Sequence, residues 1–159
     1  MHAQHPAHAN VRFPPPLVYL IALLAGYGLE QLWPLPLGPA LWTPVQRVAG
    51  ALLIALGLGL AAWANLRFRA VGTSPVPMRP SAALVQSGPY RWTRNPMYLG
   101  LTALGLGLAL LAHSGWMLLG VLAAAVVIDR YAIAREERYL LAAFGQAYAD
   151  YCTRVRRWL

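Results

Sequence analysis

The sequence predicts an all-α, polytopic membrane protein: about four transmembrane helices followed by an amphipathic cytoplasmic helix. Three observations lead there. Of 159 residues, 58% are hydrophobic and only 11% charged, where a soluble domain carries roughly 25%. Apolar runs near the ~17–25 residues that span a bilayer core occur four times: Leu17–Trp33, Val48–Leu66, Met97–Ala112 and Trp116–Ala134. The 13 basic residues, all Arg, crowd at alternate ends of those runs.

One domain, residues 1–159, accounts for this length. Residues 1–16 form a polar tail ending in Pro14-Pro15-Pro16. No small-residue cleavage site follows the first run, which therefore reads as a retained helix. Pro34, Pro36 and Pro39 stop it. His113-Ser114-Gly115 is a tight turn, which makes the third and fourth helices an antiparallel hairpin.

Arginine placement sets the orientation. Arg12 precedes the first helix, and Arg67, Arg69, Arg79, Arg91 and Arg94 lie between the second and third. Arg130, Arg135, Arg138, Arg154, Arg156 and Arg157 lie at or after the end of the fourth, and only Arg47 falls near the other side. Both termini, the loop 67–96 and the segment 135–159 are thus expected in the cytoplasm, beneath an inner or plasma membrane. The net charge of +8 reads as attraction to the anionic leaflet, and nucleic acid is not an expected partner. The single Cys152 excludes an intramolecular disulfide and a thiolate-rich metal site.

After the fourth run the pattern changes. Ile133, Leu140, Leu141, Phe144, Tyr148 and Tyr151 recur at helical spacing, with Arg135, Glu136, Arg138, Gln146 and Asp150 on other faces. This predicts an amphipathic helix along the cytoplasmic surface, with Gly145 as its candidate break. Arg154, Arg156, Arg157 and Trp158 read as an interfacial anchor of cations and an indole.

The loop contains Thr73-Ser74-Pro75-Val76-Pro77-Met78-Arg79-Pro80, stiffened by its prolines. Gly88-Pro89 signals a turn, and Asn95-Pro96 a helix start with Pro at the first helical position. Free N–H groups at that start form a seat for a carboxylate. Taken alone, the loop serves equally well as a connector whose arginines touch lipid headgroups. Glu136-Glu137 follows the fourth helix. Adjacent carboxylates point about 100° apart on a helix, so only one faces the bundle easily. Taken alone, the pair reads first as a solvated face balanced by Arg135 or Arg138.

Read together, the two segments say more. Ser87-Gly88-Pro89-Tyr90-Arg91, Arg94-Asn95-Pro96-Met97-Tyr98-Leu99-Gly100, and Glu136-Glu137-Arg138-Tyr139-Leu140 with Phe144-Gly145, Tyr148, Tyr151 and Val155 follow one another in order. This succession resembles the isoprenylcysteine carboxyl methyltransferase family and its phospholipid-methyltransferase relatives, over about half the chain from Leu84 to Val155. The resemblance implies a cofactor, S-adenosylmethionine, and a lipophilic methyl acceptor reached from the bilayer. Carried over residue by residue, it implies cofactor contacts from Ala82, Ala83, Leu84, Val85, Gly88, Tyr90, Asn95, Pro96, Met97, Tyr98 and Glu136. Asn95 stands where the family usually has His. Ala132 stands where the prenylcysteine enzymes place an Arg that grips the acceptor's carboxylate, so phospholipid amines and small hydrophobic thiols are alternative acceptors. Methyl transfer needs little covalent help from protein, and positioning can supply up to about 7–11 kcal/mol of the barrier reduction. Glu137 and Tyr148 are the candidate catalytic residues, as bases for an acceptor that must lose a proton.

Other features weigh less. His2, His5 and His8 could bind a metal but read first as a flexible tail, and no metal is expected. Gly57, Gly59, Gly105 and Gly107 lie in apolar helices, where small residues serve close packing. Glu30 is either an ion site or an interfacial residue; the former would make the chain a small four-helix transporter. Asp129-Arg130 reads as a local ion pair.

Overall fold

The computed structural model describes residues 11, 13–39, 43–72 and 83–159. Those residues form six α-helices and no named strand: α1 (Pro15–Leu32), α2 (Thr43–Ala70), α3 (Pro96–Leu111), α4 (Gly115–Ile128), α5 (Ala134–Phe144) and α6 (Gln146–Arg154). The N-terminal histidines, Arg12, Arg79, the proline run 73–80 and Ala82 lie outside the described residues.

Helix starts follow the prolines. α1 begins on Pro15 and Pro16, and α3 on Pro96, first-turn positions where a missing N–H costs no hydrogen bond. α2 runs well past the apolar stretch Val48–Leu66 at both ends, with Arg67 and Arg69 in its last turn. Hydropathy does not register that polar extension, yet Arg is a good helix former and its charge suits the negative end of the helix dipole. At about 1.5 Å per residue, 28 residues reach roughly 42 Å, beyond the ~30 Å of a hydrocarbon core.

The fourth apolar run departs from expectation. Regular α4 ends at Ile128, and a π-helical turn, Asp129–Ile133, carries the backbone directly into α5. The predicted spanning helix and the first part of the predicted surface helix are thus one continuous rod. Its break comes at Gly145, whose φ of 52° ends α5 before α6 begins. Among the described residues, Pro44–Ala70 and Gly115–Phe144 are the two helical stretches long and apolar enough to cross a membrane; Pro96–Leu111 is apolar but shorter.

Close backbone contact joins α2 to α3. A Cβ on Gly57 would lie 2.6 Å from the Gly100 carbonyl oxygen, and one on Gly100 would lie 2.7 Å from that of Gly57. Gly50 and Gly107 oppose each other in the same way, at 2.8 and 2.6 Å. The two pairs run in opposite chain directions, so the helices are antiparallel. Of the other candidate packing glycines, Gly105 faces Val121 of α4 and Gly59 faces open space. α1 lies antiparallel to α4, with Gly26 against the Met117 backbone and Gly120 against the Ala22 carbonyl. The Tyr19 hydroxyl meets Thr102 Oγ1 at 2.7 Å, tying α1 to α3.

Glu30 works at one end of this bundle. It accepts hydrogen bonds from the Leu35 amide at 2.6 Å and from the Ser114 hydroxyl. The Leu35 carbonyl in turn accepts from the Gly115 amide at 2.7 Å. The end of α1 is thereby fastened to the α3–α4 turn, where His113 takes φ 54°. The start of α1, the end of α2, the start of α3 and the end of α4 gather at the other end, with the segments that carry the sequence motifs.

Candidate active site

The loop returns to described structure at Ala83, with Ala83 and Leu84 half-buried and Val85 buried. A single 3-10 turn, Gly88–Arg91, follows. Gly88 has φ 63°, and a Cβ there would lie 2.8 Å from Arg67 Nε. The backbone shape favours glycine there, and any larger residue would also have to displace the Arg67 side chain. Tyr90 is buried edge-on against Phe68, ring centroids 5.4 Å apart, and packs with Ala64, Val85 and Met97. The turn is thus seated on the end of α2. Burial, with the nearby Tyr151 and Glu136, pushes the Tyr90 phenol far above its ordinary value.

Thr93, Arg94 and Asn95 meet the end of the chain. The Arg94 amide donates to the Arg156 carbonyl at 2.9 Å, forming a parallel bridge between Thr93 and Arg156. The Arg157 carbonyl accepts from Thr93 Oγ1 at 3.1 Å and Asn95 Nδ2 at 3.0 Å. Thr93 Oγ1 also accepts from the Asn95 amide at 3.1 Å. With its side chain turned to Arg157, Asn95 does not cap α3.

The adjacent carboxylates diverge as helical geometry requires. Glu136 accepts a hydrogen bond from the Tyr98 hydroxyl of α3. Glu137 pairs with Arg94 Nη2 at 3.1 Å and is gripped by Arg157, with Nε at 3.2 Å. Arg94 and Glu137 are only 15% and 18% exposed. Of the neighbouring arginines, Arg135 lies 4.2 Å from the Tyr131 ring centroid, and Arg138 Nε donates to the Ala134 carbonyl. Asp129 does approach Arg130, at 3.7 Å, but also takes Arg157 Nη1 at 3.4 Å and Trp158 Nε1 at 2.8 Å.

The fold therefore brings Val85, Gly88, Tyr90, Asn95, Pro96, Met97, Tyr98 and Glu136 to one end of the bundle, with Glu137 and Tyr148 beside them. Tyr151 locks the arrangement, its hydroxyl donating to the Tyr90 carbonyl at 2.7 Å. Tyr148 is buried among Leu84, Leu140 and Phe144. Burial, then the charge of Glu137, pushes its phenol far above the ordinary range, so it remains protonated. Glu137 is held by two guanidinium groups, those of Arg94 and Arg157.

Arg94, Thr93, Arg157 and Trp158 were not singled out as site residues. Arg94 sits inside the Arg-Asn-Pro motif and could have been found there. Arg157 and Trp158 are composed like a lipid anchor, yet they fold back onto Asp129 and Glu137, which corrects that expectation. Trp158 also packs against the core that contains Tyr98 and Ile133.

Over 63 residues the chain is 43% identical to an uncharacterized protein of Haemophilus influenzae, a stretch that is the whole of that protein and 40% of this one. Residues 45–147, from α2 through α5 and both glutamates, match the phospholipid methyltransferase family. The chain belongs to the phospholipid methyltransferase family.

Proposed function

We propose that this protein is an integral membrane methyltransferase that transfers a methyl group from S-adenosylmethionine to a lipophilic acceptor at the cytoplasmic face. The observation that carries the reading is the junction of the two motif segments, made by the Tyr98–Glu136 hydrogen bond and the Arg94–Glu137 ion pair.

The residues present fit such a cofactor. Arg94 Nε is buried and has no hydrogen-bond partner among the described residues, a state that normally costs about 1–3 kcal/mol. With the uncapped first turn of α3, it offers donors to a carboxylate. Because Glu137 is neutralised by two arginines, Glu136 is the carboxylate left to hold an ammonium or a hydroxyl. Val85, Tyr90 and Met97 provide an apolar wall for an aromatic base. Bound there, S-adenosylmethionine would supply a methyl group activated by its sulfonium. The protein's part is to orient and to exclude water, through buried Tyr90 and Tyr98 and the ion pairs behind them.

The acceptor is read from position 132. Ala132 is fully buried in the core. The Arg130 side chain is 85% exposed and Arg135 lies on Tyr131. Position 132 itself offers a buried methyl group and no guanidinium to a prenylcysteine carboxylate, which favours a lipid amine or a hydrophobic thiol. The transporter reading gains nothing from Glu30, whose carboxylate fastens two loops.

The same reading makes one domain of the chain, with α1 to α4 as four spans and both termini cytoplasmic. Apolar side chains point outward along α1 and α2, among them Ile21, Leu24, Leu52 and Leu56. Tryptophans mark both ends: Trp63 meets Trp92 at 5.5 Å, and Trp116 Nε1 donates to the Trp33 carbonyl. Such belts belong at membrane interfaces. Calorimetry with S-adenosylhomocysteine on detergent-purified protein tests the cofactor, and methyl transfer from labelled S-adenosylmethionine to a lipid extract tests the acceptor. Micromolar-range binding and label in the lipid are expected. No heat at ~1 mM ligand, a binding free energy weaker than about −4.1 kcal/mol, would overturn the reading.

A further inference from the structure

Arg157 touches both halves of the site and belongs to neither. Its guanidinium reaches Glu137 through Nε and Nη2 and Asp129 through Nη1. Its own carbonyl accepts from Thr93 and Asn95. One residue therefore contacts the carboxylate segment with its side chain and the loop ahead of α3 with its backbone. Trp158, bonded to Asp129 and packed on the core, fixes the next position in the chain. The Arg94 amide bond to Arg156 fixes the preceding one. The two carboxylates hold Arg157 charged, with a proton affinity above its ordinary value.

We propose that Arg157 is a positioning residue: the segment Val155–Trp158 is a clasp that sets the Arg94–Asn95 loop against Glu136-Glu137 and so shapes the cofactor site. This rests on the cofactor reading above. Without the clasp, Arg94 keeps only its bond to Glu137, and Thr93 and Asn95 lose a shared acceptor. Glu136 is then carried on a helix joined to the loop side only through the Arg94–Glu137 and Tyr98–Glu136 contacts. A lysine at 157 restores one charge but not the two-carboxylate fork.

The test uses the full chain in detergent, with two readouts. S-adenosylhomocysteine affinity should fall about tenfold or more in Arg157→Ala, and part of the loss should return in Arg157→Lys. Hydrogen exchange should quicken in peptides covering 91–97, while α1 and α2 peptides stay as in wild type. Wild-type affinity together with wild-type exchange in Arg157→Ala would overturn the proposal, as would acceleration spread evenly over all helices. Should Arg157→Ala fail to fold, Arg157→Lys and Asp129→Asn carry the same two readouts. A wild-type protein that binds no S-adenosylhomocysteine defeats the cofactor reading, while exchange at 91–97 still decides whether Arg157 holds the loop.

Discussion

The hydroxyl of Tyr98 donates to the carboxylate of Glu136 across 38 positions of sequence. One residue lies in the first turn of α3, the other just past the π-helical turn after α4. Helices three and four are neighbours through their hairpin, so this bond closes the motif-bearing end of the pair. Glu136 points inward to Tyr98 while Glu137 points to the arginines, and their substitutions should have different consequences.

Glu136→Gln should weaken S-adenosylhomocysteine binding by about 1.5–3 kcal/mol, the range for hydrogen bonds to a charged group. Thermal unfolding should change little, because Gln still accepts from Tyr98. Calorimetry beside a melting curve measures both. Equal affinities for the two proteins would mean that the other carboxylate holds the cofactor.

Glu137→Gln should show itself first in stability. It leaves Arg94, 15% exposed, without its counter-charge, at a cost of about 1–3 kcal/mol. A fall in melting temperature that Arg94→Gln does not deepen by its full separate amount would identify the pair by double-mutant cycle.

Tyr148→Phe should leave the pH dependence of turnover unchanged between pH 7 and 9. The phenol is held protonated by burial and by Glu137, so across this range it has no proton to lose. The alternative role, a general base, predicts that the profile loses a limb in the variant; a rate series over that range separates the two.

Gly57→Ala should destabilise by about 1–3 kcal/mol, the usual cost of overpacking, because its new Cβ would meet the Gly100 carbonyl at 2.6 Å. Gly59→Ala, two residues along the same helix with nothing within 4 Å, should be neutral or stabilising by about 0.5–1 kcal/mol. The same sign for both would show that α2 and α3 do not pack through this pair.

Orientation is open to cysteine labelling in a Cys152→Ser background. Ala112, exposed at the α3–α4 turn, is the better outer site, since Ser114 is buried against Glu30. An impermeant maleimide should label Ala112→Cys in intact cells and leave Leu159→Cys untouched. Labelling at 159 would put the motif-bearing end away from the cytosol, where a charged sulfonium cofactor could not reach it.

What the sequence determined by itself was local and periodic. Apolar runs, Pro15, Pro96 and Gly145 placed the helices and their breaks, because burial preference and backbone restriction act within a few residues. The spaced motifs located the site-bearing segments for the same reason. Tertiary structure alone decided the partners. Nothing local distinguishes Arg157, which grips Glu137 and Asp129, from Arg154 or Arg156 nearby, and a cation beside an indole has the same composition in a lipid anchor as in a clasp. Nor could hydropathy show that the fourth apolar run continues unbroken into α5, since a π-helical turn changes hydrogen-bond register without changing polarity. Charge pairing over long separations depends on where the bundle brings the chain back upon itself, and that is a property of packing.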